Sequence, residues 1–200
     1  MAGLTAVRLV SDGTVKMDGG VVFGQVPKGQ WQDWLPADRR NRIRLNMNCL
    51  LIKTPSGNFL IDCGSGQKLS PEMRDTYGIT TSHLIQALKS HMVLPQDITG
   101  VILTSLRFEH TGGCTKWDRN GQLVPTFPKA TYYVQRKALE EAMNPNEREA
   151  HIYCPADFMP IYERNMLKIL DGDTQLAPGL QVWHTPGPTA GHQIVLFTNG

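Results

Sequence analysis

One apolar run, residues 100–104, constrains the fold of this chain more than any other segment. Its central residues, Val101-Ile102-Leu103, are typical of a strand that is buried inside a sheet. The run leads directly into the stretch Ser105 to Gly113, which holds Arg107, Glu109 and His110 and ends in a glycine pair. Strands are predicted before this run, and strands alternate with helices after it. We therefore expect an α/β or α+β protein with mixed sheets.

The first part of the chain is predicted to form short strands separated by turns. A strand over residues 6–10 is expected to end at the turn Ser11-Asp12-Gly13, and further strands are expected over 15–17 and 21–23. Later in the chain, a helix is predicted from about Ser82 to Met92, with Leu84, Ile85 and Leu88 on one stripe, and another helix is predicted over 136–143.

The last residues predict a hairpin that the sequence does not complete. Residues 194–198 are typical of an apolar strand, and Asn199-Gly200 is a preferred pair for a two-residue hairpin turn. Without a partner, that strand would be left as an open edge, which folded proteins usually avoid. We therefore expect the sequence to be truncated before its last strands and helix.

Composition narrows the class of partner and the compartment. A net charge of +2 gives no electrostatic reason to expect binding to nucleic acid or to an anionic membrane. The four cysteines form no CxxC pair, and the amino terminus does not have the pattern of a secretory signal. We expect a single cytoplasmic domain over residues 1–200, and the oligomeric state stays open.

Three motifs occur in this order along the chain: Leu60-Ile61-Asp62-Cys63-Gly64, the stretch from Thr104 to Gly113, and the turn from His184 to Gln193. Together they resemble the motifs of metallo-β-lactamase-fold hydrolases. Two further segments resemble the lactonase-like branch of this family: Val124-Pro125-Thr126-Phe127-Pro128 and Asn144-Pro145-Asn146-Glu147-Arg148. The resemblance implies an αββα sandwich. It also implies two neighbouring sites for zinc or another divalent metal, which activates a water molecule as the nucleophile.

The sequence departs from the family at the positions of the metal ligands. The first metal site of the family takes three histidines, and this sequence has Ser105, Arg107 and Pro188 in their places. The second site takes an aspartate and a histidine from the central motif, which correspond to Glu109 and His110 here. Its two further ligands would lie downstream of this sequence.

Arg107 indicates how the metal is replaced. Its guanidinium is a permanent cation and cannot lose a proton to become a ligand. We expect it to stand in for the metal and to pair with Glu109 or Asp62, which would otherwise be buried carboxylates without a counter-charge. On this hypothesis, Arg107→Ala destabilises the fold and does not restore activity.

The other candidates each have a plainer interpretation. Cys114 could be a nucleophile or a soft metal ligand near the pocket, or simply a buried thiol. His192 is expected to form a hydrogen bond across its turn, and His184 to end a strand. Asp62 is expected to be a buried acceptor that organises the loops around the site.

Two functions remain in competition. The preferred one is a non-catalytic, binding-only relative that holds a small anion or a lactone- or ester-type ligand. Its pocket is expected to be lined by Asp62, Ser105, Arg107, Cys114, Pro188 and His192. The alternative is a metal-dependent hydrolase of lactones or esters with a residual site at Glu109 and His110. A third interpretation is a decayed fragment without a function.

Overall fold

A computed structural model describes residues 6–198, so the hairpin turn predicted at Asn199-Gly200 lies outside the described residues. Within them the chain forms eleven strands: β1 (Ala6–Asp18), β2 (Arg42–Thr54), β3 (Gly57–Ile61), β4 (Ile98–Ile102), β5 (Thr115–Trp117), β6 (Leu123–Pro125), β7 (Thr131–Gln135), β8 (Leu167–Leu170), β9 (Thr174–Ala177), β10 (Leu180–His184) and β11 (Gln193–Phe197). Seven α-helices accompany them: α1 (Gly19–Phe23), α2 (Lys28–Trp31), α3 (Pro71–Thr76), α4 (Leu84–Ser90), α5 (Phe108–Thr111), α6 (Arg136–Met143) and α7 (Pro155–Glu163).

Six strands form the main sheet, in the order β1-β2-β3-β4-β7-β8. The first three are antiparallel to one another, whereas β3, β4, β7 and β8 run parallel. The sheet is therefore mixed, as predicted. The apolar run that begins at Gly100 provides most of β4, which lies in the middle of this sheet with Val101 and Ile102 fully buried.

Both faces of the main sheet are covered by apolar side chains. On one face, Val101 and Tyr132 pack in a large core with residues of α4, α6 and α7, such as Leu88 and Ile161. On the other face, a smaller core joins the main sheet to a three-stranded sheet of order β11-β10-β9. The described residues thus form a helix layer and two packed sheets, which is the mixed α/β sandwich that the motifs predict.

The predicted turn at Ser11-Asp12-Gly13 and the predicted strand over 21–23 are both wrong. β1 passes through Asp12 without turning, because its pairing with β2 shifts register between Ser11 and Gly13, where Gly13 has a φ of 132°. This is a bulge, which adds a residue to one strand without ending it. Residues 21–23 belong to α1, because the Asp18 side chain accepts hydrogen bonds from the first amides of that helix.

Candidate functional site

The candidate site is built where two neighbouring parallel strands end. β3 is followed by Asp62, and β4 by Leu103 and Thr104. The Asp62 amide donates to the Ile102 carbonyl over 2.9 Å. Because β3 and β4 are parallel, the loops that follow them leave the sheet at the same edge. The amide of Cys63 also donates to the carbonyl of His110 over 2.7 Å, so a hydrogen bond joins the two loops.

Asp62 holds the second loop in place. Its Oδ1 accepts from the Thr104 amide at 2.8 Å, and its Oδ2 accepts from the Thr104 hydroxyl at 2.7 Å. The same Oδ2 lies 2.8 Å from Nδ1 of His110. Asp62 is 8% exposed, so the expectation of a buried acceptor that organises the loops agrees with its contacts.

The Asp62 carboxylate also sets the charge preference of His110. Burial acts to lower the pKa of the imidazole, but the nearby carboxylates of Asp62 and Glu109 outweigh it, so the pKa of His110 is raised above its usual 6.5. Nδ1 of the ring faces Asp62. The other ring nitrogen, Nε2, has no hydrogen-bond partner among residues 6–198.

Arg107 and Glu109 form an ion pair at the start of α5. The guanidinium Nε lies 2.6 Å from Oε1 of Glu109, so the structure has one of the two pairings expected for Arg107. The side chain of Glu109 is 9% exposed and that of Arg107 is 22% exposed. The other carboxylate oxygen, Oε2 of Glu109, is buried and has no hydrogen-bond partner within the described part of the chain.

Two cavities lie on either side of this ion pair. One, of about 270 Å³, is lined by Asp62, Glu109 and His110 together with Met17 and other side chains of β1 and β2. The other, of about 390 Å³, is lined by Arg107, Met17 and several further residues: Lys16, Asp18, Val21, Arg40, Arg42, Thr76, Tyr77, His151 and Ile152. Met17 lines both cavities, so they are adjacent.

Asp12, which was predicted to lie in a turn, is on β1 and holds the loop after β3 against the start of α4. Asp12, fully buried, accepts from the amides of Ser65 and Gly66 and from the amide of Leu84 at the start of α4. It also accepts from the hydroxyl of Ser82. Burial raises the pKa of Asp12, although the four hydrogen bonds act to lower it. An acidic residue inside a strand-forming stretch was the signal that could have identified it.

Glycines let the same loops approach each other. A side chain at Gly66 would clash with the carbonyl of Gly112, and one at Gly112 would clash with the carbonyl of Ser65. Gly66 also has a φ of 62°, in the left-handed region that favours glycine. The glycine pair of the central motif is therefore required by close backbone contact.

The structure also shows the surroundings of the other predicted site residues, which are Ser105, Cys114, Pro188 and His192. Ser105 is buried, and its hydroxyl accepts from the Arg107 amide at 3.3 Å. Cys114 is fully buried in the helix-side core and lines neither cavity described above. Pro188 is exposed on the loop between β10 and β11. His192 forms the expected hydrogen bond across its turn, with Nδ1 2.9 Å from the Thr185 hydroxyl, and His184 ends β10 as predicted.

The described side chains do not make up the ligand set of a catalytic zinc ion. Such an ion takes three protein ligands and keeps a further position open. Within residues 6–198, no three His, Cys, Asp or Glu side chains are grouped so that they could hold a metal. Glu109 and His110 each present one free atom, and the cation of Arg107 lies beside them. A divalent ion bound there would be repelled by that guanidinium.

Residues 43–200 match the family profile described as the metallo-beta-lactamase superfamily. An N-acyl homoserine lactonase from Bacillus sp. is 30% identical over 166 residues, which cover 74% of this chain and 57% of that protein. An N-acyl homoserine lactonase from Bacillus cereus is 27% identical over 173 residues, which cover 78% of this chain and 60% of that protein. The chain thus spans somewhat less than two thirds of the length of these curated relatives.

Solved structures of similar fold cover the chain more fully. A probable metal-dependent hydrolase from Staphylococcus aureus superposes with a TM-score of 0.89 at 31% identity, and the match covers all of this chain and 71% of that one. An N-acyl homoserine lactone hydrolase with its product N-hexanoyl-L-homoserine bound at the catalytic metal centre matches with a TM-score of 0.72 at 23% identity, over 98% of this chain and 71% of that chain. At that identity the likeness shows the fold alone.

None of the helices in the described residues is long and apolar enough to cross a bilayer.

Proposed function

Because this chain belongs to the metallo-beta-lactamase superfamily, we propose that it keeps the pocket of that family but uses the Arg107 guanidinium where the family uses a metal ion. The pocket then binds a small carboxylate ligand and does not hydrolyse it. The observation that carries this proposal is the 2.6 Å ion pair between Arg107 and Glu109.

The ion pair leaves the guanidinium able to bind a ligand. Nε of Arg107 donates to Glu109, and the two terminal nitrogens have no hydrogen-bond partner among residues 6–198. An arginine presents its donors as a rigid, planar fork, which matches the two oxygens of a carboxylate. Arg107 lines the 390 Å³ cavity, which gives those nitrogens a space in which a ligand can lie.

The class of ligand follows from the relatives. Two of them are N-acyl homoserine lactonases, and one solved structure of this fold holds N-hexanoyl-L-homoserine. That molecule is an acid with a free carboxylate, whereas the lactone is neutral. We propose that this chain prefers the ring-opened acid, because a guanidinium gains more from a carboxylate than from an ester carbonyl.

The test is a calorimetric titration of the chain with N-hexanoyl-L-homoserine and, separately, with the corresponding lactone. We expect the acid to bind more tightly, and Arg107→Met to weaken its binding by roughly tenfold or more, as for the loss of one charge-assisted hydrogen bond. Arg44→Met is the matched control, because Arg44 is exposed on β2 and lines neither cavity beside the ion pair. Equal binding of acid and lactone, or unchanged binding by Arg107→Met, would contradict the proposal.

A metal-dependent hydrolase remains the competing function, and one observation favours it. Oε2 of Glu109 is buried without a partner in residues 6–198, and Nε2 of His110 is also free, so these two atoms could contact an ion. Elemental analysis of protein purified without a histidine tag and without added zinc distinguishes the two functions. About one tightly held metal per chain that is lost in Glu109→Gln, together with release of acid from the lactone, would establish the hydrolase instead.

A further inference from the structure

A third cavity, of about 290 Å³, lies beside the same two loops but shares no lining residue with the two cavities at the ion pair. Its wall includes Gly66 from the first loop and Gly113 from the second. The start of α4 contributes Leu84 and Ile85, and the β5–β6 ribbon and the residue after it contribute Trp117 and Thr126.

The apolar part of this wall is well suited to a flat molecule. Leu84 and Ile85 supply aliphatic surface, and the indole of Trp117 supplies a planar one. Trp117 is 57% exposed, so its indole is accessible to a ligand in the cavity. A ring that lies against the indole gains both from apolar burial and from aromatic stacking.

The polar part of the wall favours an anion. Two lysines, Lys68 and Lys116, line the cavity, and no acidic side chain of residues 6–198 does. Lys68 is engaged, because its ammonium lies 2.9 Å from Asp157 and donates to the carbonyl of Thr115. Lys116 has no ion-pair partner within residues 6–198, so its charge is available to a ligand.

A buried hydroxyl without a partner supports the same site. Thr126 is 5% exposed and lines the cavity, and its Oγ1 has no hydrogen-bond partner in the part of the chain that the structure describes. Its amide already donates to the Cys114 carbonyl at 2.8 Å, so only the side chain remains unengaged. A buried hydroxyl normally finds a partner, and a rotation of the Thr126 side chain about χ1 would turn the hydroxyl toward the cavity, where a ligand acceptor would provide one.

We propose that this third cavity is a binding site for a small aromatic carboxylate. The ring lies between Trp117 and the aliphatic side chains of α4, and the carboxylate faces Lys116 and accepts from the Thr126 hydroxyl. The site is distinct from the Arg107 pocket, and its existence does not depend on what that pocket binds. Because Gly66 and Gly113 line it, a bound ligand contacts the loops that carry Asp62 and His110.

The experiment uses 2-naphthoate as the probe and its neutral isostere 2-naphthamide as the comparison, with binding followed by calorimetry. We expect saturable binding of 2-naphthoate and weaker binding of the amide. Trp117→Ala should raise the dissociation constant by roughly tenfold, the size of one aromatic contact. Thr126→Val, which keeps the side-chain shape and removes the hydroxyl, should raise it by a few-fold.

Two control variants make the result specific. Trp34→Ala removes another exposed tryptophan, 83% exposed and outside the cavity, and should leave binding unchanged. Arg107→Met should also leave it unchanged. Equal binding of acid and amide would overturn the proposal, as would unchanged affinity in both Trp117→Ala and Thr126→Val. Loss of binding in Arg107→Met alone would place the probe in the other pocket, and it would therefore refute the third-cavity site without refuting the function proposed for Arg107.

Discussion

Replacing Arg107 by methionine tests whether the guanidinium is a structural counter-charge for Glu109. The variant keeps a long side chain of similar reach but removes the charge and all donors. Glu109 then stays at 9% exposure with neither carboxylate oxygen paired, since Oε2 already has no partner within residues 6–198. We expect the free energy of unfolding to fall.

The size of the loss follows from the exposure of the pair. Breaking a fully buried ion pair by removing one partner costs about 3–5 kcal/mol. Arg107 is 22% exposed, so water compensates in part, and we expect a loss of about 2 kcal/mol. For a chain of this length, such a loss lowers the melting temperature by about 4–8 °C.

Urea denaturation of four proteins measures the effect: the wild type, Arg107→Met, Glu109→Leu and the double variant. If the cost in Arg107→Met comes from an unpaired carboxylate, the double variant should recover most of it, because an apolar pair can replace a buried ion pair with little loss. A free energy of unfolding of Arg107→Met equal to that of the wild type would refute the reasoning. A double variant whose losses are simply additive would show that the two side chains do not interact.

Three further predictions concern the support of the site. Because the pKa of His110 is raised, its ion pair with Asp62 stabilises the fold fully below pH 6.5, and this stabilisation is lost as the pH rises through the folded-state pKa. Urea unfolding between pH 5.5 and 8.5 should show this decline in the free energy of unfolding. Asp62→Asn should flatten the dependence on pH. Lys68→Met should cost about 3 kcal/mol in the same assay, because it leaves the 2%-exposed side chain of Asp157 unpaired, and a double variant with Asp157→Leu should recover most of the loss. Gly66→Ala should cost more than about 3 kcal/mol, because it combines a left-handed backbone with a clash against the neighbouring loop, and a wild-type melting curve by circular dichroism would contradict this.

The central strand and the loops of the site were accessible from the sequence because their signals are local. The apolar residues of β4 and the glycine pair that follows can be recognised within about a dozen residues, and both lie where the motifs place them. The pairing of Arg107 with Glu109 was also accessible, because the two residues are only two positions apart and opposite in charge.

Contacts between distant segments were not accessible in this way. Asp12 and the loop amides that it accepts from are more than 50 positions apart in sequence, so no local pattern reveals them. The predicted turn at Asp12-Gly13 failed for the same reason, since the residues resemble a turn and only the pairing of β1 with β2 makes them a bulge. Lys68 and Asp157 are a similar case, with a buried ion pair formed between otherwise unremarkable positions.

The hydrogen bonds of Asp12 also determine which segment of the chain must be transferred to move this site to another protein. The profile of the superfamily matches residues 43–200, whereas Asp12 lies on β1, ahead of that region. A chimera that imported residues 43–200 alone would leave the amides of Ser65, Gly66 and Leu84 without the carboxylate that they donate to. The transferable unit for grafting this site onto another protein therefore includes β1 and is larger than the segment that the profile matches.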